Sequence, residues 1–239
     1  MNEFEHFCTG HLIILGIIPV FITALAYLTH KLSKENAGRL IRAFSALALC
    51  CEGLQDILLT IEGGNILDYL PLHLCNLGLF INVIASFTRG KVRGFFAEVS
   101  LVLIAPGSIF ALITPDWNYR PLLSWLPLMC FFTHTLVVAI PVMMYVNGWC
   151  RPVFRHIWYP YAFLIAVTIP IYTLDKVLNR NYMFLLRPIS GTPLAWLASF
   201  MGNPGYLIGV LIMLALVLLV VYSALHIINR FTDRSSYET

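Results

Sequence analysis

The sequence predicts an all-α membrane protein, a bundle of about seven transmembrane helices with the N-terminus outside and the C-terminus cytoplasmic. Three observations lead there. Of 239 residues, 59% are hydrophobic and 11% charged, whereas soluble domains carry about 25% charged residues. The apolar residues gather in runs close to the roughly 20 residues that cross a bilayer, and the mean hydropathy is +0.80. The basic residues fall in every second gap between those runs. A net charge of +3 spread over short separate loops forms no contiguous patch, so no nucleic acid is expected as a partner. Residues 1–239 read as a single polytopic transmembrane domain.

The candidate spans in chain order are Leu12 to Leu28, Leu40 to Ile61, Leu70 to Phe87, Val92 to Ile113, Pro127 to Val146, Val153 to Leu174 and Tyr206 to Ile228. Glu3 and Glu5 precede the first without a basic region or a small-residue cleavage site, so it reads as a retained helix. Lys31, Lys34, Arg39 and Arg42 follow it, and Glu62 and Asp68 follow the second. Arg89, Lys91 and Arg93 come after the third, Asp116 and Arg120 after the fourth, and Arg151 and Arg155 after the fifth. Cytoplasmic loops are the ones rich in Lys and Arg, which sets the orientation. Tyr69, Trp117, Tyr119, Trp125, Tyr182 and Trp196 lie where loops meet spans, as interfacial aromatics do. The long connection from Asp175 to Pro204 carries its own apolar residues and reads as a lid or as a piece lying along the interface. Gly205 and Gly209 form a small-xxx-small pair that packs within the bundle or between copies.

Polar residues at membrane depth mark candidate sites. Pro71 suits the first turn of a helix, so the third span is expected to begin around Asp68 to Pro71, with Cys75 one to two turns in. That end carries the positive end of the helix dipole, which favours a thiolate. His73 lies two residues away and points to nearly the opposite face, so the base must come from another helix. His134 in the fifth span sits about 10 Å below the outer boundary, level with Cys75 at about 6 to 10 Å. Glu52, Gln55 and Asp56 share a face of the second span, and Asp56 falls about 9 Å deep. A thiolate nucleophile, an imidazole that takes its proton and a carboxylate that orients the imidazole make a catalytic set. Cys75, His134 and Asp56 are the expected members, with Glu52 as the second choice of orienter. Glu52, His73 and Asn76 form a secondary polar cluster, and the Asn76 amide is a candidate oxyanion donor. Cys8, Cys50, Cys51, Cys130 and Cys150 follow no metal-binding spacing, and no metal or cofactor is expected.

Four blocks in order run through the chain: Leu-Pro-Leu-His-Leu-Cys at 70 to 75, Thr-Pro-Asp at 114 to 116, the intramembrane His134, and Asn-Tyr-Met-Phe-Leu at 181 to 185 followed by Arg187-Pro188. Together they resemble the YwaF family of bacterial integral membrane proteins, related to vertebrate transmembrane protein 164, over nearly the whole chain. The resemblance implies a bacterial plasma-membrane protein. It also implies a cysteine-dependent acyltransferase acting on phospholipids, with the cysteine of the His-Leu-Cys block, here Cys75, as nucleophile and His134 at the site.

The expected function is therefore acyl transfer or acyl hydrolysis through a Cys75 thioester, near the outer leaflet, with membrane phospholipids as partners. Arg120, Asn181, Tyr182 and Arg187 are the expected substrate contacts, and Arg180 is a further candidate. Guanidinium groups match phosphate in a bidentate way. Two other classes fit the same polar residues. A proton-coupled transporter or receptor would use Glu52, Asp56, His73 and His134 to line a polar cavity, and a non-catalytic scaffold would use them as interhelical glue.

Overall fold

The computed structural model describes residues 3–188 and 192–235. All regular structure among them is helical. The chain divides into two compact units, Met1–Cys150 and Arg151–Thr239.

The first unit holds α1 (Thr9–Lys31), α2 (Lys34–Ile61), α3 (Leu74–Phe87), α4 (Gly90–Val99), α5 (Ala105–Ile113) and α6 (Trp125–Val146). A π-helical turn, Ser100–Ile104, joins α4 to α5 into one continuous rod, and the amide of Ala105 closes it by donating to the Ser100 carbonyl. Only Leu32 and Ser33 separate α1 from α2, and the Ser33 hydroxyl accepts from the Asn36 amide, which caps α2 and breaks the chain between two apolar runs. Helix α6 is the axis: α1, α2, α3, α4 and α5 all pack on it, and most of its side chains are buried. Pro19 and Pro141 lie inside α1 and α6. Neighbouring helices make such interruptions tolerable in membrane spans.

Six helical stretches among the described residues are long and apolar enough to cross a membrane: Thr9–Lys31, Lys34–Ile61, Gly90–Ile113, Trp125–Val146, Phe154–Leu178 and Tyr206–Phe231. The expected third span is the exception. Helix α3 has 14 residues, about 21 Å of rise against a hydrocarbon core of about 30 Å. It also starts later than Pro71 suggested. The Leu72 amide donates to the Leu70 carbonyl at 2.7 Å, His73 is extended, and the first helical turn closes only when Leu77 donates to the His73 carbonyl. Ile66–Asp68 form a separate short 3₁₀ turn.

The two ends of this unit are tied by different chemistry. At one end the N-terminal segment crosses the α5–α6 connection: the Phe4 amide donates to the Asn118 carbonyl, and His6 Nε2 meets the Pro115 carbonyl. His11, fully buried, accepts the Phe7 amide at Nδ1 and donates from Nε2 to the Leu112 carbonyl at 3.0 Å. At the other end the Lys34 ammonium donates to the Asn147 carbonyl just past α6. Between them, Ser45, Ser86, Asn82 and Ser100 form a buried polar chain across α2, α3 and the π turn, with Ser100 donating to Asn82 Oδ1 at 2.6 Å.

The second unit holds α7 (Trp158–Leu178), α8 (Pro193–Met201) and α9 (Tyr206–Ser235). Gly205 and Gly209 let α8 lie against α9, since a Cβ on Gly209 would meet Met201 Sδ at 2.8 Å and Leu197 Cδ2 at 2.9 Å. The small-residue pair therefore packs inside the chain. The exposed Trp196 and Phe200 rings stack along one face of α8.

Candidate active site

Starting α3 at Leu74 puts Cys75 in its first turn, at the positive end of the helix dipole and beside backbone amides that have no partner within the helix. Cys75, Asn76 and Leu79 from α3, Glu52 from α2, and Thr133, His134 and Val137 from α6 line one cavity of about 10 Å³. That is room for about one water. The thiol and the imidazole expected from their depths thus come to the same space from two different helices. On α5, the buried Ser108 faces the Cys75 thiol, and its hydroxyl makes no well-formed hydrogen bond.

The orientation of His134 follows from its own helix. Nδ1 lies 2.9 Å from the Cys130 carbonyl, one turn back. A carbonyl only accepts, so Nδ1 carries the proton, and in the neutral ring Nε2 keeps the lone pair a base requires. Trp117 packs on the imidazole with ring centroids 4.7 Å apart and holds it from the side, and Phe131 meets Trp117 edge-on at 5.5 Å. The Cys130 thiol in turn donates to Gln55 Oε1 at 3.3 Å, which fixes α6 against α2.

This arrangement differs from the expected one in its acids. The Cys130 carbonyl, rather than Asp56 or Glu52, accepts from His134 Nδ1. Asp56 lies outside the set of cavity-lining residues. Glu52 is buried and accepts a hydrogen bond from Asn76 Nδ2 through Oε1, so one of the two Asn76 amide hydrogens is committed. Asp116, from the Thr-Pro-Asp block, is the carboxylate within electrostatic range of His73, Cys75 and His134. In the sequence Asp116 stands only as a loop charge and as the last residue of the Thr-Pro-Asp block. Trp117, expected only as an interfacial aromatic, is instead packed on the imidazole.

Of the expected substrate contacts, the side chains of Arg120 and Asn181 are engaged in local structure. Arg120 bridges Glu62 at 2.7 Å, Trp125 Nε1 donates to the other Glu62 oxygen at 3.0 Å, and the Arg120 guanidinium lies 5.7 Å from the centre of the Trp125 ring. These contacts clamp the end of α2 to the start of α6. The Arg120 charge holds the Glu62 carboxyl below its ordinary range. In the second unit, Asn181 Oδ1 accepts the amides of Leu186 and Arg187, and its Nδ2 donates to the Arg187 carbonyl at 2.8 Å. Asn181 is thus committed to closing the turn, as asparagine commonly is. Tyr182 is buried, and its amide donates to the fully buried Asp175 Oδ1 at 2.8 Å. Arg187 is exposed. The Tyr206 hydroxyl donates to the Phe184 carbonyl and Asn203 Nδ2 to the Leu186 carbonyl, which secures the same turn to the start of α9.

Fold and site define a polytopic, all-helical membrane protein with a thiol and an imidazole on one small intramembrane cavity. The profile described as TMEM164 family matches residues 4–222, and the chain belongs to that family. Comparison with curated proteins finds no match, and comparison with solved structures finds none.

Proposed function

We propose that this protein is a phospholipid acyltransferase, or acyl hydrolase, that works through a thioester on Cys75. The observation that carries the reading is that Cys75 and His134 line one cavity, with His134 Nδ1 held by the Cys130 carbonyl. The resemblance to vertebrate transmembrane protein 164 supports it. In the first half-reaction His134 Nε2 takes the Cys75 proton and the thiolate attacks the carbonyl carbon of a lipid ester. The ester C–O bond breaks, and His134 returns the proton to the departing lysophospholipid oxygen. In the second half-reaction an acceptor hydroxyl gives its proton to His134 and attacks the thioester. The Cys75 sulfur leaves and recovers that proton, with a lysolipid acceptor giving transfer and water giving hydrolysis. The amides of the first turn of α3, which have no partner within the helix, and the second Asn76 amide hydrogen are the donors for the developing oxyanion. An acyl ester reaches Cys75 by displacing part of the cavity lining, with Leu79 and Val137 as its apolar members.

The proposed topology keeps the N-terminus outside and the C-terminus cytoplasmic in a bacterial plasma membrane, with α3 as a seventh, shorter crossing. Lys34 and Arg93 meet the segment after α6 at one end of the first unit, and a basic end belongs on the cytoplasmic side. The cavity then faces the outer leaflet.

The test is peptide mass spectrometry of purified protein after incubation with phospholipid. An acyl adduct on Cys75 is expected, absent in Cys75→Ala and formed about 10² to 10⁴ times more slowly in His134→Ala. Equal adducts on the exposed Cys50 would overturn the reading. A second reading, a proton-coupled carrier, draws on the buried Glu52 bonded to Asn76. It predicts loss of function in Asp56→Asn and survival in Cys75→Ala.

A further inference from the structure

At the opposite end of α3 from Cys75, about 20 Å away by helical rise, Arg93 and Arg42 meet beside one indole, and Arg89 caps α4 next to them. Trp149, three residues past α6, is wedged between α2 and α4: its ring would lie 3.5 Å from a Cβ on Gly38, and its carbonyl 4.0 Å from one on Gly94. Arg93 stacks on that ring with its guanidinium carbon 4.1 Å from the centroid, and its Nε donates to the Thr88 carbonyl at 2.8 Å. Arg42 folds back over Gly38, with guanidinium nitrogens 3.7 and 3.8 Å from the same Cβ position. Arg89 stands within electrostatic range of Arg93, as Arg42 does.

These charges face each other without compensation. Among the described residues no carboxylate pairs with Arg42, Arg89 or Arg93: Glu35 is taken by Arg39 and Glu62 by Arg120, while Glu98 is buried beside Cys150. Repulsion between like charges would ordinarily let such flexible side chains part. Arg93 is instead held in place by its stack and its bond to Thr88, and the Arg42 guanidinium lies over Gly38 beside the same indole. The backbone adds to the same field. Arg89 is the N-terminal cap of α4 and offers no side-chain cap, so the first amides of α4 have no partner within the helix. Gly90 takes a left-handed φ of +60° with open space where a Cβ would stand. Helix amides with no partner inside the helix, next to Arg89 and in the same first turns as the held Arg93, are donors suited to an oxyanion.

We propose that Arg42, Arg89, Arg93 and the N-terminus of α4 form a binding site for a phosphate group, supplied by an anionic phospholipid headgroup or by free phosphate. The site is separate from the Cys75 cavity and does not depend on its chemistry. Two sources share the phosphate, and the experiment separates them. Full-length protein in neutral maltoside micelles is titrated with dihexanoyl phosphatidylglycerol, dihexanoyl phosphatidylcholine or inorganic phosphate, and apparent affinity is read from the rise in unfolding temperature. Arg89 is exposed, so Arg89→Gln tests the site without disturbing packing. Arg42→Gln is the second variant, and Arg39→Gln, whose side chain is exposed and paired with Glu35, is the control.

Saturable stabilisation by phosphatidylglycerol, weakened about tenfold in Arg89→Gln and in Arg42→Gln but not in Arg39→Gln, is the expected result and names a lipid headgroup. The same variant pattern with inorganic phosphate, and none with phosphatidylglycerol, supports the site with soluble phosphate as its ligand. If Arg89→Gln leaves both titrations unchanged, or Arg39→Gln weakens binding equally, the charges act only as a diffuse surface and the proposal fails.

Discussion

Gly78 is the position where a single added carbon should separate the packing of α3 from the chemistry of Cys75. A Cβ there would sit 2.4 Å from Ile104 Cγ2 and 3.2 Å from Val137 Cγ1. Carbon atoms are at their best separation at about 3.5 to 4.0 Å, so α3 and the π turn must part by about 1 Å. Ile104 cannot swing aside, because it is branched at Cβ and fully buried. Overpacking of this kind costs about 1 to 3 kcal/mol, which leaves a membrane protein folded. The displacement falls on the helix that carries Cys75, one turn from that residue, while His134 stays on α6. A misplacement of about 1 Å between reacting groups costs about 10² in rate. In Gly78→Ala, the rate of Cys75 acylation by an acyl-directed probe should therefore drop about a hundredfold. The exposed Cys50 provides the internal reference within the same sample. Thermal unfolding in micelles reports the packing cost separately. A wild-type rate at Cys75 in a folded Gly78→Ala protein would refute the link between α3 packing and the site.

Ser100→Ala leaves the fully buried Asn82 Oδ1 without its donor, and should lower stability by about 1 to 3 kcal/mol. Adding Asn82→Leu should recover part of that loss, because Asn82 Nδ2 is already unpaired; denaturant unfolding in micelles measures both, and strict additivity would contradict the account. The Glu62 clamp has a pH signature. Its folded-state pKa is depressed by Arg120, so its contribution is fully present above the ordinary glutamate range and is lost as pH falls through the depressed value. Unfolding temperatures of wild type and Glu62→Gln should differ slightly at neutral pH and converge in acid, and a gap that widens in acid would contradict the assignment.

Long apolar runs carried their own message, so the spanning helices were legible from composition and spacing. Residues Leu70 to His73 were not, because an apolar run does not reveal that Leu72 spends its amide on Leu70 and delays the helix to Leu74. That Cys75 and His134 lie on one cavity is legible from matching depth along helices, a quantity the sequence encodes at a fixed rise per residue. Depth could not tell which group orients His134, since a carbonyl one turn back on the same helix has no side-chain identity to read. Asp116 escaped for the opposite reason: it lies in a connection, where distance along the chain says little about height or direction. Asn181 and Arg120 look like ligands in a polar block. Their hydrogen bonds go to backbone and to Glu62 instead, and nothing in residue type alone distinguishes the two uses.

The π turn between α4 and α5 acts as a register spacer. An extra residue accommodated in one turn offsets everything beyond it by about 100° of rotation relative to an unbroken α-helix. Removal of any one residue from Ser100–Ile104 would restore a regular helix and turn α5 as a screw turns. Ser108 would swing away from the Cys75 thiol, and the Leu112 carbonyl would leave His11. Substitutions along α5 change one contact at a time, but a change of length in this short segment would re-index every contact that α5 makes at once. Tolerance to insertion or deletion should therefore be lowest here, in the middle of a helix whose composition gives no warning of it.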